Sequence, residues 1–81
     1  MNLATNYDCK INCYEILRQN LKTLRKQLDK TQKQVAEQTG ISRANLARYE
    51  TGENVPPLDI CIILADYFEV SLDELLGRKP I

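Results

Sequence analysis

The chain of 81 residues contains no histidine, and cysteine, glycine and proline each occur only three times. Without histidine the chain lacks the most common general base of enzymes, and the sequence pairs no nucleophile with a base. The three glycines, Gly40, Gly52 and Gly77, fall where helices are expected to end, so none is left for a loop that wraps a phosphate. Composition therefore argues against an enzyme, and we expect no cofactor, no metal ion and no small-molecule substrate.

The cysteines Cys9, Cys13 and Cys61 do not form a metal-binding pattern. Their number is odd, their spacing is not that of a zinc finger, and no histidine is present to complete such a site. Cys9 and Cys13 lie four residues apart, so they share a face if this stretch is helical, and a thiol switch stays open as an alternative. We expect reduced, unbonded thiols, with Cys61 in the core.

The chain has no run of about 18 apolar residues and no charged-then-apolar leader after Met1. We therefore expect neither a membrane span nor a secretory signal, and a cytoplasmic location. The length suits one domain whose core is only marginally stabilising, so association with a second copy would help. The expected organisation is a flexible tail over residues 1–11, one domain over 12–77 and a C-terminal tail over 78–81.

Residues 31–50, TQKQVAEQTGISRANLARYE, read as two short helices joined by a glycine turn. Thr31 and Gln34 have the spacing of a capping box, Gly40 suits the left-handed end of the first helix, and Ser42 is an N-cap for the second. Helices this short are not stable alone, so they must pack on each other and on the rest of the domain. The side chains expected to face that packing are Val35, Ala36, Leu46 and Tyr49.

The charges are segregated along the chain although the formal net charge is zero. Residues 18–48 carry eight basic and two acidic side chains, a net charge of +6, whereas residues 49–77 carry seven acidic and no basic ones. A polyanion is attracted to the first segment and repelled by the second. Charged helices that only keep the protein soluble are the alternative, but the helix pair in the basic segment favours a polyanionic partner.

Helical signals continue on both sides of this segment. Asn12 followed by Glu15 predicts the start of a first helix, Pro57 to Phe68 predicts a fourth, and Ser71 to Leu76 predicts a short fifth that ends at Gly77. The expected fold class is therefore all-α, a compact domain of five helices. The apolar stripes expected in its core are Leu17, Leu21, Leu24 and Leu28 in the first helix, and Leu58, Cys61, Leu64, Ala65 and Phe68 in the fourth.

Matching residues occur in register over most of the chain, from Tyr14 to Gly77. They resemble the lambda-repressor-like (Cro-type) helix-turn-helix family. The resemblance implies a bacterial or phage-encoded protein that acts at the nucleoid, binds double-stranded DNA and regulates transcription, more often as a repressor. The positions that carry it are Gln32, Ala36, Gly40, Leu46, Glu50, Gly52, Pro57, Leu64, Ala65 and the stretch 70–76.

The second helix of such a motif reads base edges in the major groove with its N-terminal residues. On this chain those residues are Arg43, Ala44, Ala47 and Arg48. Either arginine can bond guanine O6 and N7 in a fork, and the alanine methyls can contact thymine. Solvated arginines, or arginines that contact only phosphate, are the alternative.

The resemblance also assigns contacts to the DNA backbone. Gln32 matches the family position whose side chain and backbone N–H hold a phosphate, which suits the positive end of a helix. Asn45, Thr51 and Asn54 match positions beside the backbone. Glu53 departs from the family, because its loop position is often basic in relatives, and we expect weaker contacts on that side.

Arg25 and Glu50 match a pair that forms a salt bridge in several relatives, between the first helix and the end of the recognition helix. Two separate surface charges are the alternative. The expected role of the pair is orientation rather than net stability.

A single recognition helix reaches only a few base pairs, so specificity implies two copies on an inverted repeat about 34 Å apart. We expect a two-fold homodimer. Its predicted interface is a second apolar stripe on the fourth helix, to which the fifth helix contributes: Ile60, Ile63 and Tyr67, with Leu72, Leu75 or Leu76.

The leading hypothesis is a sequence-specific transcriptional regulator. An antitoxin, whose acidic C-terminal half covers a toxin and whose DNA binding is autoregulatory, is an alternative that adds a protein partner. A controller protein of a restriction-modification system is another.

Overall fold

The computed structural model describes residues 9–81, with side chains from residue 13 onward. Five helices and no strand occur in this part of the chain, which confirms the predicted all-α fold. None of these helices is long and apolar enough to cross a membrane. The helices are α1 (Cys9–Gln27), α2 (Gln32–Thr39), α3 (Arg43–Thr51), α4 (Leu58–Phe68) and α5 (Leu72–Leu75).

The ends of α2 and α3 are fixed by local side-chain chemistry. Thr31 Oγ1 accepts from the Gln34 N–H at 3.0 Å, and the Thr31 N–H donates to Gln34 Oε1 at 2.8 Å, so the predicted capping box is present. Gly40 ends α2 in the left-handed conformation, with φ 79°, and donates its N–H to the Ala36 carbonyl. Ser42 Oγ accepts from the Asn45 N–H at 3.1 Å and starts α3.

The first helix begins earlier than predicted. Residues 9–11, assigned to a flexible tail, are helical, and Asn12 lies inside α1 rather than at its N-cap. No glycine or proline interrupts the stretch from Cys9 to Asn12, and a single asparagine costs little within a helix. The rest of the predicted tail and the side chain of Cys9, on which the thiol-switch alternative depends, lie outside the described residues.

The core forms where α1 packs on α3, α4 and α5, and where α2 packs on α3 and α4. Cys61 is buried in it, as predicted, and this burial raises the pKa of its thiol above the ordinary value. Leu28 and Leu58 were predicted in the core but are exposed, because Leu28 follows the end of α1 and Leu58 begins α4. The buried apolar residues are Leu17, Leu21, Leu24, Val35, Ile41, Leu46, Tyr49, Cys61, Leu64, Ala65, Phe68 and Leu75.

The last helix is capped and docked on α1. Ser71 Oγ accepts from the Glu74 N–H at 3.0 Å, and Glu74 Oε1 accepts from the Ser71 N–H at 2.8 Å. That backbone bond, with help from the Ser71 hydroxyl, holds the pKa of Glu74 below its ordinary value. Asn20 Nδ2 donates to the carbonyls of Glu74 and Leu75 at 3.3 and 3.0 Å, which ties the end of α5 to α1.

Candidate nucleic-acid interface

Helix α3 has one face in the core and one in solvent. Leu46, Tyr49 and Glu50 are buried, whereas Arg43 and Ala44 are exposed. Ala47 and Asn45 are half-buried, and the Arg48 side chain is 49% exposed. The buried residues attach α3 to the domain, so three of the predicted base-reading side chains, Arg43, Ala44 and Arg48, are on its outer surface. The backbone N–H of Asn45 is already bonded to Ser42.

A buried polar network joins α1, α2 and α3. Arg25 Nε and Nη2 donate to the two carboxylate oxygens of Glu50 at 2.7 and 3.0 Å, and Gln32 Nε2 donates to Glu50 Oε1 at 3.1 Å. Arg25 Nη1 also donates to the Lys30 carbonyl at 2.8 Å. The two charged side chains are only 14% and 7% exposed, and the carboxylate raises the pKa of Arg25 above its ordinary value. The network therefore fixes the C-terminal turn of α3 relative to the first turn of α2.

An open cleft of about 540 Å³ lies beside this network. Its charged lining consists of Arg25, Lys26, Lys30 and Arg43, opposed by Asp29 alone. Thr31 and Gln32, at the N-terminus of α2, complete the wall, so an anion in the cleft would face both cations and the positive end of a helix. Sequence reasoning did not single out Lys26 and Lys30; the only signal for them was the run of basic residues from Arg18 to Arg48.

The loop after α3 folds back onto Arg48. The Thr51 hydroxyl and the Asn54 N–H both donate to the Arg48 carbonyl, at 3.1 and 3.3 Å. Gly52 has a φ of 84°, in the left-handed region that favours glycine, and a Cβ on it would displace the Arg18 side chain, which lies 2.7 Å away. This arrangement brings the Glu53 carboxylate to 3.2 Å from Arg48 Nε.

The predicted DNA-contacting residues therefore lie at two ends of α3. Arg43, at its N-terminal end, lines the same cleft as Gln32. Arg48, Thr51 and Asn54 lie together at its C-terminal end and in the following loop.

The predicted dimer residues are distributed unevenly over the surface. Leu75 is fully buried within the chain, with 0% exposure, because it packs between α1 and α4, and it cannot contribute to an interface. Ile63 is 39% exposed. The other predicted interface residues are partly buried against the core: Ile60, Tyr67, Leu72 and Leu76. The Tyr67 hydroxyl also donates to the Gln38 side-chain oxygen.

Two further apolar residues of α4 are exposed and were not assigned to an interface from the sequence. Leu58 is 69% and Ile62 43% exposed. Their spacing of four residues places them on one side of α4. The signal for Leu58 was misleading, since its place in the apolar stripe predicted burial.

A family model described as helix-turn-helix matches residues 21–75, from α1 to the end of α5. The chain belongs to the lambda-repressor-like helix-turn-helix family. The match includes all of α2, α3 and α4, and thus both ends of the surface described above.

Curated proteins of the same family are similar over most of this chain. The cryptic phage CTXphi transcriptional repressor RstR of Vibrio cholerae is 40% identical over 62 residues, which cover 76% of this chain and 55% of RstR. The regulator AnsR of Bacillus subtilis is 39% identical over 59 residues, 73% of this chain and 51% of AnsR. The antitoxin PezA of Streptococcus pneumoniae is 37% identical over 62 residues, 76% of this chain and 39% of PezA.

The matched segment spans about half the length, or less, of these relatives. No solved structure matches the chain.

Proposed function

We propose that this chain is a transcriptional regulator that binds double-stranded DNA and acts as a repressor, at the nucleoid of a bacterial cell or on phage DNA. It binds an inverted-repeat operator as a homodimer, with α3 in the major groove. The observation that carries the proposal is the outer face of α3, where Arg43 and Ala44 stand exposed beside a basic cleft. Similarity to a phage repressor and to a bacterial regulator supports the regulatory role.

We assign base contacts and phosphate contacts to different side chains of the motif. Arg43 and Arg48 contact base edges, with Ala44 and Ala47 against thymine methyls. Protein N–H groups and side chains at the edges of the motif bind DNA phosphates. These contacts fix the register of α3 on the DNA without reading its sequence. These phosphate contacts are assigned to Gln32, Asn45, Thr51 and Asn54, with Lys26 and Lys30 added from the cleft.

The test begins with enrichment of random duplexes on the purified chain, followed by binding measurements over a range of salt concentrations. We expect an inverted repeat and a steep loss of affinity with salt. Arg43→Ala should relax preference at one position of each half-site, with a loss of about 1–3 kcal/mol, whereas Gln32→Ala should weaken all sequences alike. Arg78→Ala removes the same charge near Asp73, in the C-terminal segment, and serves as the control.

If Arg43→Ala weakened binding to operator and random DNA equally, as Gln32→Ala should, this assignment would be contradicted. A purified chain that binds no duplex at low ionic strength would contradict the function itself.

For the homodimer we propose that the interface contains the exposed apolar residues of α4, which are Leu58, Ile62 and Ile63. Sedimentation should show dimers at concentrations well above the dissociation constant for DNA. Ile63→Asp should shift the chain to monomers and weaken operator binding, because it places a charge in an apolar contact. Monomers in the unmodified chain at those concentrations, or no effect of Ile63→Asp on assembly and binding, would argue against the dimer.

An antitoxin is the second candidate, favoured by the similarity to PezA and by the acidic residues 49–77. In that case the acidic half covers a toxin, and DNA binding serves autoregulation. Co-expression with the product of the neighbouring gene distinguishes the two, since an antitoxin forms a stable 1:1 or 2:2 complex. A chain that purifies alone and still binds its operator tightly favours the regulator.

A further inference from the structure

The two predicted base-reading arginines have different electrostatic surroundings. Arg43 makes no ion pair within the described part of the chain, whereas Arg48 faces the Glu53 carboxylate, with 3.2 Å between Nε and Oε2. Both partners are accessible, at 49% and 67% side-chain exposure. The acid is therefore placed at the surface that the proposed function assigns to DNA, where a negative charge opposes binding to a polyanion.

Hydrogen bonds hold the loop that carries Glu53 in place. Its backbone is anchored on the carbonyl of Arg48 itself, through the bonds from Thr51 and Asn54. The Glu53 N–H adds a long contact of 3.4 Å to the Thr51 hydroxyl. Arg48 therefore supplies both the carbonyl that holds the loop and the cation that faces Glu53.

The position of the Glu53 carboxylate affects the binding of Arg48 to a base edge and to a phosphate differently. The carboxylate approaches the guanidinium at Nε, and the fork that binds guanine O6 and N7 can form from the terminal Nη1 and Nη2 groups. A phosphate that approached the same guanidinium would gain little net attraction, since the pair with Glu53 carries no net charge. A base edge is uncharged and is bound by hydrogen bonds, so it loses less from this neutralisation.

We infer that Glu53 is a positioning residue that directs Arg48 toward base edges and away from phosphates, so that it raises sequence selectivity at the expense of affinity. This inference rests on the proposed DNA-binding function. Glu53 touches no base in this arrangement and acts only through Arg48.

The first experiment compares Glu53→Gln with the unmodified chain on the enriched operator and on a random duplex. The substitution should strengthen binding to random DNA and steepen its salt dependence by about one unit of slope, because Arg48 becomes a free cation for phosphate. The ratio of operator affinity to random-DNA affinity should fall by about two- to fivefold. This range is the energy of an exposed ion pair expressed as a ratio of binding constants.

Two further variants separate the ion pair from simple charge. Glu37→Gln removes one negative charge from an exposed position of α2 that forms no ion pair in the described structure, and it should leave the ratio unchanged. In an Arg48→Ala background, Glu53→Gln should also leave the ratio unchanged. If Glu53→Gln lowers the ratio as much without Arg48 as with it, the inference is wrong.

A measurement without DNA tests the same contact. The ¹⁵N relaxation of Arg48 Nε should show a more mobile guanidinium in Glu53→Gln than in the unmodified chain. Equal mobility in the two proteins would overturn the inference even if the chain binds its operator. Failure of the unmodified chain to distinguish any duplex, in contrast, would refute the proposed function and remove the inference with it.

Discussion

The buried pair of Arg25 and Glu50 leads to a prediction about stability. A single substitution should destabilise the fold, and the double substitution should recover most of the lost stability. Glu50→Met removes a carboxylate that accepts three hydrogen bonds, two from Arg25 and one from Gln32. Arg25 then keeps only the Lys30 carbonyl as a partner, while its side chain remains 14% exposed. A charge is left nearly buried without its counter-ion.

The expected loss follows from this burial. Removing one partner of a buried ion pair destabilises a protein by about 3–5 kcal/mol, because the remaining charge is uncompensated. Arg25 retains some contact with water, so we expect the lower end, about 3 kcal/mol, for Glu50→Met. This is a large part of the roughly 5–15 kcal/mol that stabilises an ordinary domain.

The double substitution Arg25→Met with Glu50→Met should recover most of that stability. Replacement of a buried ion pair by apolar side chains of similar volume is often neutral or stabilising by about 1–4 kcal/mol. The doubly substituted chain should nevertheless bind the operator less tightly, because the network no longer orients the end of α3 relative to Gln32. The double substitution would then restore stability without restoring DNA binding.

Urea unfolding followed by circular dichroism at the helix band measures the stabilities, with equal denaturant slopes required for comparison. Operator binding of each folded variant is measured in parallel. A loss below about 1 kcal/mol for Glu50→Met would mean that the pair behaves as a surface salt bridge. A double variant as unstable as the single one, or one that binds the operator like the unmodified chain, would refute the orienting role.

Two other substitutions test the helix caps. Thr31→Ala should lower the free energy of unfolding by about 1 kcal/mol in urea titrations, since it removes the acceptor for the Gln34 N–H at the start of α2; a change of only a few tenths would mean that water replaces the hydroxyl. Glu74→Ala should lose stability relative to the unmodified chain at neutral pH. The pKa of Glu74 is lower in the folded chain than its ordinary value, so its contribution is present above that ordinary value and is lost as pH falls through the folded one. The two unfolding curves should therefore converge in acid, and a difference that persists there would argue against the carboxylate as the cause.

Helix boundaries were predictable from sequence where a cap is local. Thr31, Gln34, Gly40 and Ser42 lie within a few residues of the groups they bond, so their pattern needs no knowledge of the rest of the chain. Asn12 shows the limit of such signals, because the same residue type is tolerated within a helix when nothing breaks it.

Burial was less predictable, since it depends on which element packs over a residue. Leu28 and Leu58 continue apolar stripes but lie beyond or at the end of a helix, where no neighbouring helix covers them. Leu75, expected at a surface, is covered by α1 and α4. The sequence pattern shows that a side chain is apolar, but it does not show which element packs against that side chain.

The candidate site divides in the same way. The outer positions of α3 followed from the motif, because Leu46 and Tyr49 determine which face is inward. The cleft that joins Arg43 to Lys26 and Lys30 did not, since it needs the turn between α1 and α2 to be folded. The approach of Glu53 to Arg48 likewise depends on the backbone path of the loop.

The nine residues of α3 keep attachment and presentation on separate side chains. Leu46, Tyr49 and Glu50 are buried and hold the helix in place, while Arg43 and Ala44 are exposed. A combinatorial library limited to those two outward positions should therefore yield soluble variants with reprogrammed target preferences, since the scaffold beneath them is untouched.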